Sequence, residues 1–443
     1  MNKLNSFLLM LALIVSATAC EDYIDKQPVD QIGDEIVIED LESLDGAVLG
    51  MYSSLQSGNQ YGELQIFMPG ILSDEMVFTG TFPTKQDMSV NNVTAENTTM
   101  RGVWSSPYGT IFIANTVLER ALNAGTEEEV APFVAEAKFG RALAHFNLVK
   151  LWGAVPLALT SDVGVTSELP RTPAAEVYAQ IIADLQEAMA DLPLASERTD
   201  PERTTRATKG AAQALLARVA LYSGDLNLAG QMADAVINSG EYTLDPTYSN
   251  LYNNDATSPE IIFELFASIQ DGNSLGFFAQ PVGAGGRYDY SPNPTLEAQY
   301  ASGDERAELI VPNSADAGGI LVTNKYTDAT NGTDQPIVVR LAEMYLIRAE
   351  ANNSVADLNT VASRSNGATY ASYNQSNMLL ERKLELAFEG HRWNDLIRTG
   401  QANAVMSAVK PASWDATDIL LPIPQREIDQ NPTLTASDQN PGY

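Results

Sequence analysis

The side chains with the most chemistry to offer lie in two polar stretches, and none of them forms a catalytic motif. Tyr61, Phe67, Phe78 and Phe82 accompany Asp74 and Glu75 in the first; Phe277, Phe278, Tyr288 and Tyr290 accompany Arg287 and Asp289 in the second. A sugar presents an apolar C–H face and a rim of hydroxyls, so a planar ring beside charged or amide groups complements it. Phe78, Phe82, Arg287, Tyr288 and Tyr290 are therefore candidate ligand contacts. Each ring has core filling as a rival role of at least equal weight. Trp104 and Tyr108 run directly into an apolar-periodic segment and read as packing residues.

Enzyme chemistry finds little support. The chain has two histidines, His145 and His391, and neither stands in a metal-ligand spacing such as H-E-x-x-H. No G-x-S-x-G elbow occurs, and Gly283-Ala284-Gly285-Gly286 lacks the Lys-Ser/Thr of a phosphate loop. Residues 328–334 do not follow the EF-hand spacing. We expect no metal, no cofactor and no catalysis. Two carboxylates could hydrolyse a glycoside, but among 57 acidic residues sequence proximity of two says almost nothing.

The elements that must position these residues are mostly helical. In residues 132–152, Ala137, Arg141, Ala144, Leu148 and Leu151 recur at steps of three and four, as one helix face requires. Val177, Ile181, Leu185, Met189 and Leu192 repeat the pattern behind Thr172-Pro173, a cap followed by proline. Ala211, Leu215, Val219 and Tyr222 precede Gly224; Ala229, Met232 and Val236 precede Gly240. Further helices are expected over 40–55, 105–123, 341–352 and, as one long rod, 378–399. In that last segment Arg382, Glu385, Glu389, Arg392 and Asp395 form a salt-bridged stripe opposite Leu386, Trp393 and Ile397. Antiparallel pairs of this length with Ala at close approaches suit tetratricopeptide-like hairpins. Residues 59–101 and 242–335 read as long, mostly non-helical insertions. Loops of that length in a compact domain are functional or disordered, and Ile261-Ile262-Phe263 argues against disorder.

The amino terminus reads as an export leader. Lys3 is followed by the apolar run 7–15, small residues 16–19, and then Cys20, the only cysteine of 443 residues. That placement points to cleavage after residue 19 and lipid attachment at Cys20, although Ala17 replaces the leucine usual three residues before such a cysteine. Residues 20–39 read as a polar tether, and 40–443 as one domain. Without the leader, 25 Lys and Arg face 57 Asp and Glu, a formal charge of −32. Such a surface repels nucleic acid and anionic lipid and suits a neutral ligand better than a polyanion.

Several segments together resemble the SusD/RagB family. E-D-Y-I-D-K-Q-P follows Cys20; A-E-A-K-F-G-R-A-L-A-H-F-N-L-V-K-L-W-G-A-V-P-L-A-L occupies 135–159, and R-A-T-K-G-A-A-Q-A-L-L-A-R-V-A-L-Y-S-G-D occupies 206–225. S-P-E-I-I-F-E at 258–264, V-R-L-A-E-M-Y-L-I-R-A-E-A at 339–351 and the segment 380–400 continue the order. L-P-I-P-Q-R-E-I-D-Q-N-P and Q-N-P-G-Y end it. The resemblance implies a mainly α fold with about four tetratricopeptide-like hairpins, long loops bearing the ligand site, and no catalysis. It also implies a surface lipoprotein that closes as a lid on a SusC-like TonB-dependent outer-membrane transporter and delivers a neutral glycan. Peptide cargo, as in some relatives, is the alternative. Leu72-Ser73-Asp74-Glu75 resembles a family segment beside the sugar site, which nominates Asp74 first and Phe78 second.

Overall fold

A computed structural model describes residues 38–253, 258–312 and 319–443. The leader, Cys20 and most of the tether lie outside the described residues. The elements used below begin with α1 (Leu41–Leu55), α2 (Leu64–Leu72), β1 (Met76–Phe78), α3 (Pro83–Ser89), α4 (Thr98–Arg120), α5 (Glu127–Trp152) and α6 (Ala174–Asp191). They continue with α7 (Lys209–Ser223), α8 (Leu226–Asn238), β2 (Ile261–Glu264), β3 (Tyr290–Pro292), β4 (Ile337–Arg340), α9 (Leu341–Asn352), α10 (Val355–Arg364), α11 (Gln375–Glu385), α12 (Arg392–Arg398) and α13 (Ala402–Val409).

Local chemistry sets the helix ends. Asp40 and Ser43 form a capping box at α1, and Thr126 with Glu129 forms another at α5, which starts over a turn earlier than its apolar pattern. Thr208, Asp225 and Ser354 cap α7, α8 and α10. Gly224 and Asn353 end α7 and α9 in the left-handed conformation. Pro173 stands at the cap of α6 and Ala174 opens the helix, one position later than the sequence suggested.

Four helix pairs form the scaffold: α1 with α4, α5 with α6, α7 with α8, and α9 with α10. Each pair also packs on the next; the first three pairs share one core that reaches α9, and a smaller second cluster, with Leu346, Leu358 and Val361, lies between α9 and α10. α5 lies inside it and buries residues all round, among them Ala137, Phe139, Leu143, Phe146 and Leu148. The fold is mainly α, as expected.

The two insertions and the carboxy-terminal segment form a second layer over this stack. Antiparallel pairing of β1 with β3 joins the insertions, with Phe78 opposite Tyr290. Pairing of β2 with β4 fixes the second insertion beside α7. The first insertion is more helical than expected. α2, L-Q-I-F-M-P-G-I-L, buries every residue, so it has no polar face and no amphipathic period to reveal it.

The largest departure concerns residues 378–399. They do not form one rod: α11 ends at Glu385 and α12 begins at Arg392. Between them Phe388 and Gly390 adopt positive φ, 63° and 83°. A Cβ at Gly390 would stand 2.2 Å from the Gln65 carbonyl oxygen, so the break lets α2 pass against bare backbone.

The charged residues of this segment are buried rather than solvated. Arg340 Nη1 reaches Glu260 Oε1 at 2.8 Å and Glu385 Oε1 at 2.6 Å, and its Nε reaches Glu389 Oε2 at 2.8 Å. Arg306 Nη1 meets Glu381 and Glu385, Arg364 meets Glu260 and Glu385, and Lys325 Nζ meets Glu389 at 2.6 Å. These side chains are 0–5% exposed. Burial alone would raise the Glu389 carboxyl; Arg340 and Lys325 instead bring it down to about 2. Arg340→Met would leave Glu260, Glu385 and Glu389 short of a cation. It is expected to cost about 3–5 kcal/mol in urea denaturation, whereas a change under about 1 kcal/mol would mean the network is dispensable.

Candidate functional site

The β1–β3 pair brings the two aromatic clusters of the sequence together, but in two tiers. Tyr290 has no exposed surface. Its ring lies 4.6 Å from that of Phe67, 5.8 Å from Phe78 and 6.2 Å from Phe278, and its hydroxyl donates to Glu63 Oε1 at 2.5 Å. Phe78 is 8% exposed. Lys85 is buried beneath, ion-paired to Glu63, with Nζ 4.1 Å from the centre of the Phe278 ring. Burial pushes the Glu63 carboxyl up more strongly than Lys85 and Tyr290 pull it down. These residues form a floor. Phe78 and Tyr290, expected as ligand contacts, are buried: Tyr290 stacks on Phe67, and Phe78 packs on Tyr290 while its strand neighbour Val77 is exposed.

The upper tier is solvent-facing. Phe82 is 37% and Phe277 39% exposed. The Arg287 guanidinium lies 4.1 Å over the Phe82 ring, donates from Nη2 to Thr81 Oγ1 at 3.1 Å, and stands with Nε 3.0 Å from Asp289 Oδ1. Tyr288 takes φ +59°, is half-buried, and donates its hydroxyl to the Leu321 carbonyl at 2.6 Å. Thr79 meets the Tyr288 carbonyl, which ties the first insertion to the second. Phe82 and Arg287 thus come together, while Tyr288, next in the chain, turns its hydroxyl to the Leu321 carbonyl. The Phe277 carbonyl accepts the Arg287 N–H at 2.7 Å, which sets this exposed residue beside Arg287; the sequence displays the Phe277-Phe278 doublet without marking which ring faces outward.

Asp74 is placed elsewhere. Its carboxylate accepts from Arg392 Nε at 2.7 Å and from Lys383 Nζ at 2.8 Å. Burial opposes its ionisation, yet Arg392 and Lys383 hold the carboxyl well below the usual range. An acceptor already filled by two cations is a structural tie between the first insertion and α11–α12. Among the described residues no group of histidine, cysteine and carboxylate side chains could hold a metal.

The comparisons with known proteins agree with this architecture. Residues 22–221 match the family described as "Starch-binding associating with outer membrane", and residues 313–443 match the SusD family. The chain belongs to the SusD/RagB family. SusD-like protein P2 of Formosa agariphila is 28% identical, covering 98% of each chain. A laminarin-binding SusD-like protein of known structure is 25% identical, covers 91% of this chain and 100% of its own, and superposes with a TM-score of 0.82. Surface glycan-binding protein A from Bacteroides thetaiotaomicron, solved with laminarihexaose, shares the fold at 22% identity, 90% and 99% coverage and a TM-score of 0.78. No described helix of this SusD-like chain is long and apolar enough to cross a membrane.

Glu75 anchors the floor of the site to the helix break. Its Oε1 accepts the Phe388 N–H at 2.8 Å, its Oε2 has no hydrogen-bond partner among the described residues, and burial pushes the carboxyl up to about 7. The folded chain therefore binds this proton more tightly than the unfolded chain, whose carboxyl keeps the ordinary value of 4.5. Stability from this group is lost as pH rises from 4.5 to about 7 and stays lost above. Glu75→Gln keeps the acceptor and removes the titration. Relative to the parent it should gain about 3 kcal/mol more at pH 8 than at pH 4.5. Chemical denaturation at both pH values checks this; an equal difference at both would show that Glu75 titrates normally.

Proposed function

We propose that this protein captures a neutral glycan at the outer face of the outer membrane and hands it to a SusC-like TonB-dependent transporter, on which it sits as a lid. It does so without catalysis, held to the membrane by lipid on Cys20. The observation that carries this reading is the solvent-facing Phe82 ring with the Arg287 guanidinium 4.1 Å over it. The pair is flanked in the chain by Tyr288 and tied to the backbone of the exposed Phe277, next to the aromatic cluster of buried Tyr290 and Phe78 with half-buried Phe278. Rings offer the C–H faces of a sugar a flat apolar surface, and the guanidinium and nearby Thr79 and Thr81 offer hydrogen bonds to its hydroxyls. The floor supports the same reading. A platform whose rotamers are locked by Tyr290, Phe78 and the Lys85–Glu63 pair needs little ordering when ligand arrives.

Laminarin, named for a relative at 25% identity, is the first glycan to test. Phe82→Ala and Phe277→Ala are each expected to weaken oligosaccharide binding about tenfold in calorimetry, the loss of one stacking contact and its buried area. The thermal midpoint should stay unchanged, because both rings are on the surface. Undiminished affinity in both variants would remove the platform as the site. Cys20→Ser, expressed in the native host, should move the protein from the membrane fraction to the soluble fraction, since one anchor holds it. Retention at the membrane would overturn the lipid assignment.

A further inference from the structure

We propose that Asp289 is a specificity-determining residue: it cancels the charge of Arg287 on the glycan platform, so that the site takes hydroxyl-rich uncharged saccharides and discriminates against carboxylated or sulfated ones. This rests on the platform reading above and assigns its selectivity to one ion pair.

Two cations approach the platform, and each has its own carboxylate. Lys85 is buried and spent on Glu63. Arg287 is the exposed one, with its side chain 35% accessible, while the Asp289 side chain beside it is wholly buried. The pairing is unusual in its geometry. Arg287 Nε stands 3.0 Å from Asp289 Oδ1, yet among the described residues neither carboxylate oxygen has a donor hydrogen bond aligned on it. The contact cancels charge without using an aligned guanidinium N–H. A guanidinium in that state still donates to a hydroxyl oxygen, but it offers an anion no net positive potential.

The surrounding chain encloses the carboxylate. A Cβ at Gly80 would stand 2.5 Å from Asp289 Cγ and Oδ1, so the first insertion closes over Asp289 with bare backbone. The Asp289 N–H donates to the Phe278 carbonyl at 2.9 Å, and the Arg287 N–H to the Phe277 carbonyl at 2.7 Å. These bonds fix both members on one short stretch of backbone. A buried carboxylate lacking aligned donors is costly to keep, and burial raises the Asp289 carboxyl despite Arg287 and Lys85 nearby. A role in holding the loop alone would be served better by a neutral residue. A role in setting the charge of Arg287 requires the carboxylate.

The experiment uses the mature chain and calorimetry. Laminarihexaose, cellohexaose, maltohexaose and mannohexaose are screened first. The best-bound of them is then compared with its derivative oxidised to the carboxylate at C6, at low and high salt. The parent is expected to bind the oxidised form at least about tenfold more weakly than the neutral one. Asp289→Asn frees the positive charge and should shift that ratio toward the oxidised form by about tenfold or more, with the gain lost at high salt. Arg287→Gln leaves the carboxylate uncompensated and should shift the ratio the other way, which keeps the idea testable if the first variant folds poorly. The idea is overturned if the parent binds both forms equally, or if a folded Asp289→Asn and Arg287→Gln leave the ratio where it was. If the parent binds no hexasaccharide at all, the platform reading itself fails and takes this inference with it.

Discussion

Arg340 touches Glu260, Glu385 and Glu389 at once, and those three carboxylates come from the second insertion, the end of α11 and the helix break. Arg306, Arg364 and Lys325 complete the pairing from three more places in the chain. No part of this set can leave without stranding a charge away from water, a penalty of several kcal/mol. Apolar contacts tolerate sliding; a multivalent set of charges with fixed forks does not. Hydrophobic burial holds the helix pairs together, and this network sets the register in which the second layer sits on them.

Several features of the second layer follow from that register. Glu385 and Glu389 must both face Arg340, with one ending α11 and the other lying in the break. Tyr248 and Tyr326 donate to the carbonyls of Glu385 and Phe388, and Glu75 takes the Phe388 N–H. The break is thus held open from three sides. Gly390 then lets the Gln65 carbonyl of α2 approach. α2 carries Phe67, on which Tyr290 stacks; Lys85 Nζ lies 5.4 Å from the Tyr290 ring and 4.9 Å from that of Phe82, on which Arg287 lies. The surface pair of Phe82 and Arg287 is therefore connected to the buried charges through a chain of contacts.

Much of the scaffold was legible in the sequence because its signals are local. Thr208 and Gly224 bracket α7, and α9 occupies residues 341–352 as its pattern indicated. Residues 378–399 misled for a physical reason. Arg and Glu at steps of three and four satisfy a solvated rod and a buried junction equally well, and periodicity carries no information on what lies opposite. The positive φ of Phe388 is set by Glu75 and Tyr326, more than 60 residues away, so no local pattern announces it. The site divides in the same way. Residue type identified aromatic loops, but the choice between Phe82 outside and Tyr290 inside depends on the β1–β3 register, a pairing across more than 200 residues. Asp74, nominated by resemblance to SusD relatives, lies near the right layer, and its role there is to bind Arg392 and Lys383.

Charge is distributed differently in the interior and over the general surface. Within the junction Glu260, Glu381, Glu385 and Glu389 each have a cation partner, because an unpaired carboxylate would destabilise the fold. On the surface of a chain with 57 acids and 26 Lys and Arg, no such constraint applies, and the excess is negative. The platform follows the interior pattern although it faces water: Lys85 has Glu63, and Arg287 has Asp289. A bare Arg287 there would be the natural attractor for anions, and a bare Asp289 would repel them while accepting from hydroxyl groups. Pairing them leaves a surface that interacts through ring faces and directed N–H groups. Its attraction for a ligand then depends on shape and hydroxyl geometry, properties that salt in the medium screens least.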